Sequence, residues 1–308
     1  MNYEPSALNF ELPMDIRTIL NITAIDLERR GIPTPRLDAE VLLFHYLKTD
    51  RPGLYRRPER LLTDEEIRVF QSWVARRQQG EPVACIVGQK EFWSLVFEVN
   101  DQALVPRPET ELLVEEVIRV CSEMGYENLR ILDVGTGSGA IGVALASELK
   151  EARIVATDIS PGAIEVAMRN AHRNGVDGRI SFRLGNLFEP VSAEKFDVIV
   201  SNPPYISEDE FPYLPRDVRE FEPESALVAG REGTSFHEAI IKEGAFHLKV
   251  GGWLFMEMGA GQRDRIADVF RGSDLYDNIA FRMDYAGIER VAMARRHAST
   301  LGEEGING

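Results

Sequence analysis

The sequence predicts an α/β protein: a mostly parallel sheet covered by helices, with an antiparallel last strand, behind a small all-helical N-terminal domain and a linking β-hairpin. Three observations predict it. From Arg130 onward short apolar runs alternate with helical stretches, which implies βαβ units. Residues 1 to 90 instead repeat apolar side chains at helical spacing, and an aromatic-rich stretch with strand character separates the two regions.

In the helical region, Asp15 to Arg30 lines up Ile16, Ile19, Leu20, Thr23 and Leu27 and stops at Gly31. A second helix is expected after Pro35, through Leu37, Val41 and Phe44. Thr63 with Glu66 three positions on has capping-box spacing ahead of Ile67, Phe70 and Val74. Between them, Arg51 to Pro58 is broken by Pro52 and Gly53 and reads as a basic, solvated loop; it is also this region's best candidate for gripping an acidic partner.

Phe92 to Val105 reads as the hairpin, and Pro106-Arg107-Pro108 ends it before a helix over Glu109 to Ser122. Phe92 and Pro106 to Glu109 either cover a ligand pocket or merely pack the hairpin on the sheet. Strands are expected at Ile131–Val134, Ile154–Thr157, Ile180–Leu184, Val198–Val200 and Trp253–Met256, with helices at Ala140–Leu149, Pro161–Asn174 and Ser235–His247. Ile279 to Ala294 reads as two strands joined through Tyr285-Ala286-Gly287. The expected boundaries are a helical docking domain over 1–88, the hairpin linker over 89–108, a catalytic domain over 109–297 and a flexible tail over 298–308.

Of the 308 residues, 44% are hydrophobic and 28% charged, the balance of a globular protein. No stretch approaches the ~20 apolar residues of a membrane helix. Met1 to Pro13 carries Glu4 and Glu11 and no basic residue, unlike a signal peptide. Cys85 and Cys121 form neither a disulfide framework nor a metal site. The histidines at 45, 172, 237, 247 and 297 lack metal or triad spacing and read mostly as surface residues. A cytoplasmic monomer without metal or membrane contact is expected. Residues 1 to 90 hold 13 basic and 13 acidic side chains and the remainder 22 and 37, so the later region carries the whole net charge of −15. So acidic a surface is repelled by phosphate backbones, and no direct nucleic-acid contact is expected.

The chemistry is concentrated at strand ends. Asp133-Val134-Gly135-Thr136-Gly137-Ser138-Gly139 closes the first strand of the sheet and opens a helix; its glycines let backbone approach a ligand closely. Gly137-x-Gly139-x-x-Gly142 also fits the dinucleotide fingerprint, so the glycines leave NAD and S-adenosylmethionine both open. Asp158 ends the second strand, where a carboxylate accepts ribose hydroxyls or caps the next helix. Asn186 and Leu187 follow the third strand, facing the adenine position. The fourth runs into Asn202-Pro203-Pro204-Tyr205, a stiff loop with free carbonyls, an amide oxygen and a flat ring. Convergent acceptors beside a ring suit a planar –NH2 group.

Asn-Pro-Pro-Tyr at this place resembles the motif of amino-group methyltransferases acting on adenine N6, cytosine N4 or glutamine N5. Gly88 to Trp93, Val105 to Glu111, Asp133 to Gly139, Phe221-Glu222-Pro223 with Ala226-Leu227, and Glu289-Arg290-Val291 are similar to the HemK-type release-factor glutamine methyltransferases. The resemblance covers roughly residues 85 to 295. It implies a Rossmann-like class I methyltransferase sheet, S-adenosylmethionine as cofactor with S-adenosylhomocysteine as product, and N5-methylation of the glutamine in the Gly-Gly-Gln motif of peptide-chain release factors. A sister group acting on a ribosomal-protein glutamine shares the loop but departs at the segment equivalent to Arg107–Thr110. Leu187 is a departure here, since several release-factor enzymes carry an aromatic residue there.

On this reading Gly135, Thr136, Gly137, Ser138, Gly139, Asp158, Asn186, Leu187 and Asn202 bind the cofactor. Asn202, Pro203, Pro204 and Tyr205 bind the substrate: Asn202 Oδ1 and the Pro203 carbonyl accept the two amide protons while Tyr205 packs on the amide plane. The competitors are a nucleic-acid amino-methyltransferase and a non-catalytic nucleotide-binding partner; the acidic catalytic region disfavours the first and the intact loop the second.

Overall fold

The computed structural model describes residues 14–125 and 128–297; the expected tail over 298–308 lies outside them. The chain divides into two compact units, Met1–Gly88 and Gln89–Gly308.

The first unit is helical: α1 (Ile16–Arg29), α2 (Pro35–Tyr46), α3 (Arg51–Arg56), α4 (Asp64–Gln78) and α5 (Val83–Val87). The Thr63–Glu66 capping box forms in both directions: Glu66 N donates to Thr63 Oγ1 at 3.2 Å and Thr63 N to Glu66 Oε2 at 2.9 Å. Ile16, Ile19, Leu20, Leu27, Leu42, Leu43, Leu54, Phe70 and Val74 make its core. The segment read as a solvated loop is instead α3. Asp50 caps it by accepting from Gly53 N at 2.7 Å, and Pro52 sits in the first turn, where no amide proton is needed. Leu54 is buried beneath it.

The second unit opens with a hairpin, β1 (Gln89–Phe92) and β2 (Leu95–Glu98), paired antiparallel. Its turn is Trp93-Ser94, both at positive φ (53° and 56°), as a two-residue primed turn requires. The hairpin is shorter than the expected Phe92 to Val105, and residues 99 to 109 run on without strand pairing. Then follow α6 (Thr110–Glu123), β3 (Arg130–Val134), α7 (Ala140–Glu148), β4 (Arg153–Asp158), α8 (Pro161–Arg173), β5 (Ile180–Leu184), β6 (Phe196–Ser201), α9 (Arg216–Phe221), α10 (Ser235–His247), β7 (Leu248–Glu257), α11 (Arg263–Ser273), β8 (Tyr276–Met283) and β9 (Glu289–Arg296).

The sheet runs β5-β4-β3-β6-β7-β9-β8. Its first five strands pair in parallel, while β9 is antiparallel to both β7 and β8. This is the expected sheet, with the last strand in sequence reversed. Alternate residues feed two apolar layers. Ile131, Ile154, Val198, Val200 and Phe255 face α6 and α7, whereas Leu132, Val155, Ile199, Leu254 and Met256 face α10 and α11. Chain order reverses direction between β3 and β6, so their carboxyl ends flank a crevice at the topological switch point. No helix among the described residues is long and apolar enough to cross a membrane.

Candidate active site

The crevice at that switch point is a cavity whose walls are the glycine loop after β3, the ends of β4 and β5, and the loop after β6. Gly135, Thr136, Gly137 and Ser138 line it, with Asp158, Asn186, Leu187, Asn202, Pro203 and Pro204. The loop is hung on β4: Gly135 N and Thr136 N both donate to Thr157 O at 2.9 Å, and Gly137 N donates to Asp158 Oδ2 at 2.8 Å. The glycines divide the work. A Cβ on Gly135 or Gly137 would meet no protein atom within 4 Å, so their φ values of +71° and +55° carry backbone past open space. Gly139 does not line the cavity. It caps α7, and a Cβ there would lie 3.1 Å from Ala167 Cα, so its role is to seat α7 on α8.

Two carboxylates stand behind this loop. Asp133 is wholly buried; its Oδ2 accepts from Thr136 Oγ1 at 2.6 Å and Gly142 N at 3.1 Å, while Oδ1 has no partner among the described residues. Burial pushes its carboxyl up to about 6, against those two hydrogen bonds. Asp158 is raised by burial too, and one oxygen each is taken by Ser160 N (2.9 Å) and Gly137 N (2.8 Å). Ser160 caps α8, and Asp158 holds the Ser160 amide while still facing the cavity.

The Asn202 loop is braced from beneath by Thr110, which lies in the Val105–Glu111 segment, and by Glu257 and Gln262, which lie in none of the motifs. Asn202 Nδ2 donates to Thr110 Oγ1 at 3.1 Å, and Thr110 Oγ1 donates to Glu257 Oε2 at 2.6 Å. Tyr205 does not line the cavity; its hydroxyl donates to Glu257 Oε1 at 3.3 Å. Gln262 closes the brace, donating from Nε2 to Tyr205 O (2.8 Å) and Gly233 O (3.1 Å) while its Oε1 accepts from Gly259 N (2.9 Å). His237, one of the histidines read as surface residues, is wholly buried. Burial lowers its pKa to about 4, and as neutral imidazole its Nε2 donates to the Glu257 carbonyl at 2.8 Å.

Pro106 and Arg107 line the cavity and Thr110 reaches it, so the segment after the hairpin does cover the pocket. Phe92 does not: it is 1% exposed and packs with Phe97 in the core. Arg107 bonds Glu222 Oε1 at 2.5 Å, which joins this segment to Pro223, Ser225 and Ala226 across the cavity. Asn170, fully buried, ties the hairpin to the glycine loop, with Nδ2 on Glu98 O (3.0 Å) and Ser138 O (2.9 Å) and Oδ1 on Glu98 N (2.6 Å).

Glu257 is a wholly buried carboxyl at the centre of this brace. Burial pushes its carboxyl from the ordinary 4.5 up to about 7, against the Thr110 and Tyr205 hydrogen bonds and the charge of Arg290. The folded state therefore holds this proton more tightly than the unfolded chain does. The group favours folding below about pH 4.5, and that contribution is lost as pH rises through about 7. Glu257→Gln has no proton to lose. It is expected to be more stable than the parent near pH 8, on the order of 2 kcal/mol, with the gain shrinking severalfold towards pH 5. Thermal unfolding at the two pH values checks this.

Residues 18–88 match the family described as the PrmC N-terminal domain, and residues 108–213 match the methyltransferase small domain. The chain is similar to the release factor glutamine methyltransferase of Aliivibrio fischeri, at 40% identity over 92% of this chain and 98% of that one. It is similar as well to the release factor glutamine methyltransferase of Geobacter sulfurreducens, at 40% identity over 91% of this chain and 96% of that one. A solved methyltransferase from Pyrococcus furiosus shares the fold, with a TM-score of 0.50 and 18% identity over 74% of this chain and 98% of that one.

Proposed function

The chain belongs to the release factor glutamine methyltransferase family, and on that premise we propose that it methylates the side-chain amide nitrogen of the glutamine in the Gly-Gly-Gln motif of peptide-chain release factors. The observation that carries this is the Asn202 carboxamide, anchored through its nitrogen to Thr110 at the wall of a glycine-lined cavity. With Nδ2 so engaged, Oδ1 is the end left for a substrate, and an oxygen there suits an –NH2 group.

S-adenosylmethionine fits the residues present and supplies an electrophilic methyl group. Gly135 and Gly137 leave space that any side chain would begin to fill, and Asp158 brings a carboxylate to the end of β4. Ile159, 67% exposed, and Leu187 provide apolar cover in the same cavity. Thr136, Ser138 and Asn186 complete the polar lining. Gly139 serves this loop from behind.

An amide nitrogen shares its lone pair with the carbonyl and is a poor nucleophile. Asn202 Oδ1 and the Pro203 carbonyl accept its two protons and aim the lone-pair lobe. Pro203 and Pro204 stiffen the loop, and Tyr205, tethered to Glu257, offers its ring beside the amide plane. Positioning of this kind is worth on the order of 7–11 kcal/mol in favourable cases. As nitrogen gains positive charge the same acceptors bind it more tightly, which lowers the barrier rather than the ground state. The product nitrogen is acidic enough to release its proton to water.

Labelled S-adenosylmethionine offered with release factor, with ribosomal protein, with DNA and with no substrate tests the assignment. Label on the release-factor glutamine alone supports it, and label on nucleic acid overturns it. We further propose that residues 1–88 dock the release factor, that 89–108 link the two, and that the enzyme works as a cytoplasmic monomer without nucleic-acid contact. Arg56 and Arg57 are exposed at the end of α3. Arg56→Glu with Arg57→Glu is expected to raise KM for intact release factor about tenfold and leave KM for a short glutamine peptide unchanged. Equal changes for both substrates in steady-state assays would count against docking there.

A further inference from the structure

We propose that Glu257 is a positioning residue: through the Thr110 hydroxyl it decides which end of the Asn202 carboxamide faces the substrate. This rests on the reading of Asn202 as the acceptor of the substrate –NH2 protons. The two ends of a carboxamide are nearly equal in shape, so packing alone holds either orientation. Rotated by half a turn, Asn202 would present its own –NH2 group to that of the substrate, proton against proton. Something must break the tie.

A hydroxyl has one proton to give. With Glu257 ionised, Thr110, 4% exposed, gives its proton to Glu257 Oε2 at 2.6 Å. Its remaining lone pairs can only accept, so the Asn202 atom 3.1 Å away must be the nitrogen. When Glu257 is ionised, the direction of the chain is therefore set at its far end by a carboxylate that has no proton of its own. Glu257 is 1% exposed, and its other oxygen accepts from Tyr205 OH at 3.3 Å, so one side chain orients both flanks of the loop.

Protonation reverses the logic. A carboxylic acid at 257 can donate to Thr110, which frees the hydroxyl proton for Asn202 Oδ1 and favours the rotated amide. Two charges act on Glu257 from neighbouring elements. Arg290 of β9 favours the ionised form and Glu109, just before α6, opposes it. The Tyr205 hydroxyl stays protonated, since burial and Glu257 raise its pKa, and the neutral His237 of α10 meets only the Glu257 backbone carbonyl. Turnover should rise with pH through one ionisation near 7, where burial sets this carboxyl.

The test uses the full chain, saturating release factor and S-adenosylmethionine, and measures kcat from about pH 6 to about pH 8. Calorimetry gives cofactor affinity in parallel. Thr110→Val keeps the shape and removes the hydroxyl; it should lower kcat about 10- to 100-fold with cofactor affinity unchanged. Thr110→Ser restores the hydroxyl and should recover most of that loss. Glu257→Gln cannot ionise and should give a kcat independent of pH over this range. Wild-type turnover in Thr110→Val, or a Thr110→Ser as slow as Thr110→Val, overturns the proposal. So does an ionisation that persists unshifted in Glu257→Gln, which decides the matter if Thr110→Val fails to bind cofactor. Full turnover in Asn202→Ala would instead sink the reading of Asn202 itself.

Discussion

Asn202→Ala is expected to lower kcat about 10²- to 10³-fold while the affinity for S-adenosylmethionine stays near that of the parent. The side chain offers an acceptor whose value appears only as charge develops on the substrate nitrogen, so its removal acts on turnover rather than on binding. The loop itself should survive the change. Pro203 and Pro204 restrict it locally, and Gln262 grips the Tyr205 carbonyl at 2.8 Å from outside the tetrapeptide. Single-turnover rates together with cofactor titration separate the two effects. A variant that turns over normally would remove the basis for the acceptor role.

Gly137→Val acts on the opposite quantity. Its φ of +55° is costly for any β-branched residue, on the order of 1–2 kcal/mol, yet a Cβ there meets no protein atom within 4 Å. The protein should therefore fold, and the new side chain should occupy space on the cavity wall. Binding of S-adenosylmethionine is expected to weaken at least about 100-fold, below detection by calorimetry under conditions that saturate the parent. Gly139→Val is a useful contrast. Its Cβ would press on Ala167, 3.1 Å from Cα, so the expected damage is to the seating of α7 on α8. Normal cofactor binding by Gly137→Val would mean that the cofactor lies elsewhere.

Most of the architecture was legible because the parallel strands are buried on both faces and read as continuous apolar runs, as in Ile154–Ala156 and Val198–Val200. The glycine loop and the proline loop were legible because their chemistry is local. What escaped was either masked by breakers or distant in sequence. Pro52-Gly53 looked like an interruption, though Pro is well suited to a first helical turn and Asp50 supplies the cap. The helix α11 buries only Ile266, Ala267 and Phe270 among charged neighbours, too short an apolar stripe to stand out. Thr110 and Glu257 are separated by 147 positions. Glu257 carries no motif, and Thr110, though inside the Val105–Glu111 segment, gave no sign of this pairing; the sheet register that puts the end of β7 beside the end of β6 brings Glu257 under Asn202, and the start of α6 brings Thr110. Leu187, read only as an adenine neighbour, also holds a left-handed φ of 43°, which its residue type gave no reason to expect.

The buried carboxyl at 257 has a consequence for anyone improving this enzyme by laboratory selection. A heat-challenge screen run above neutral pH rewards a replacement that removes an ionisable group from the interior, and position 257 is such a site. A screen for methylated product punishes the same replacement. Variants enriched by the first screen and depleted by the second should therefore converge on this one site, where robustness and turnover pull the sequence in opposite directions.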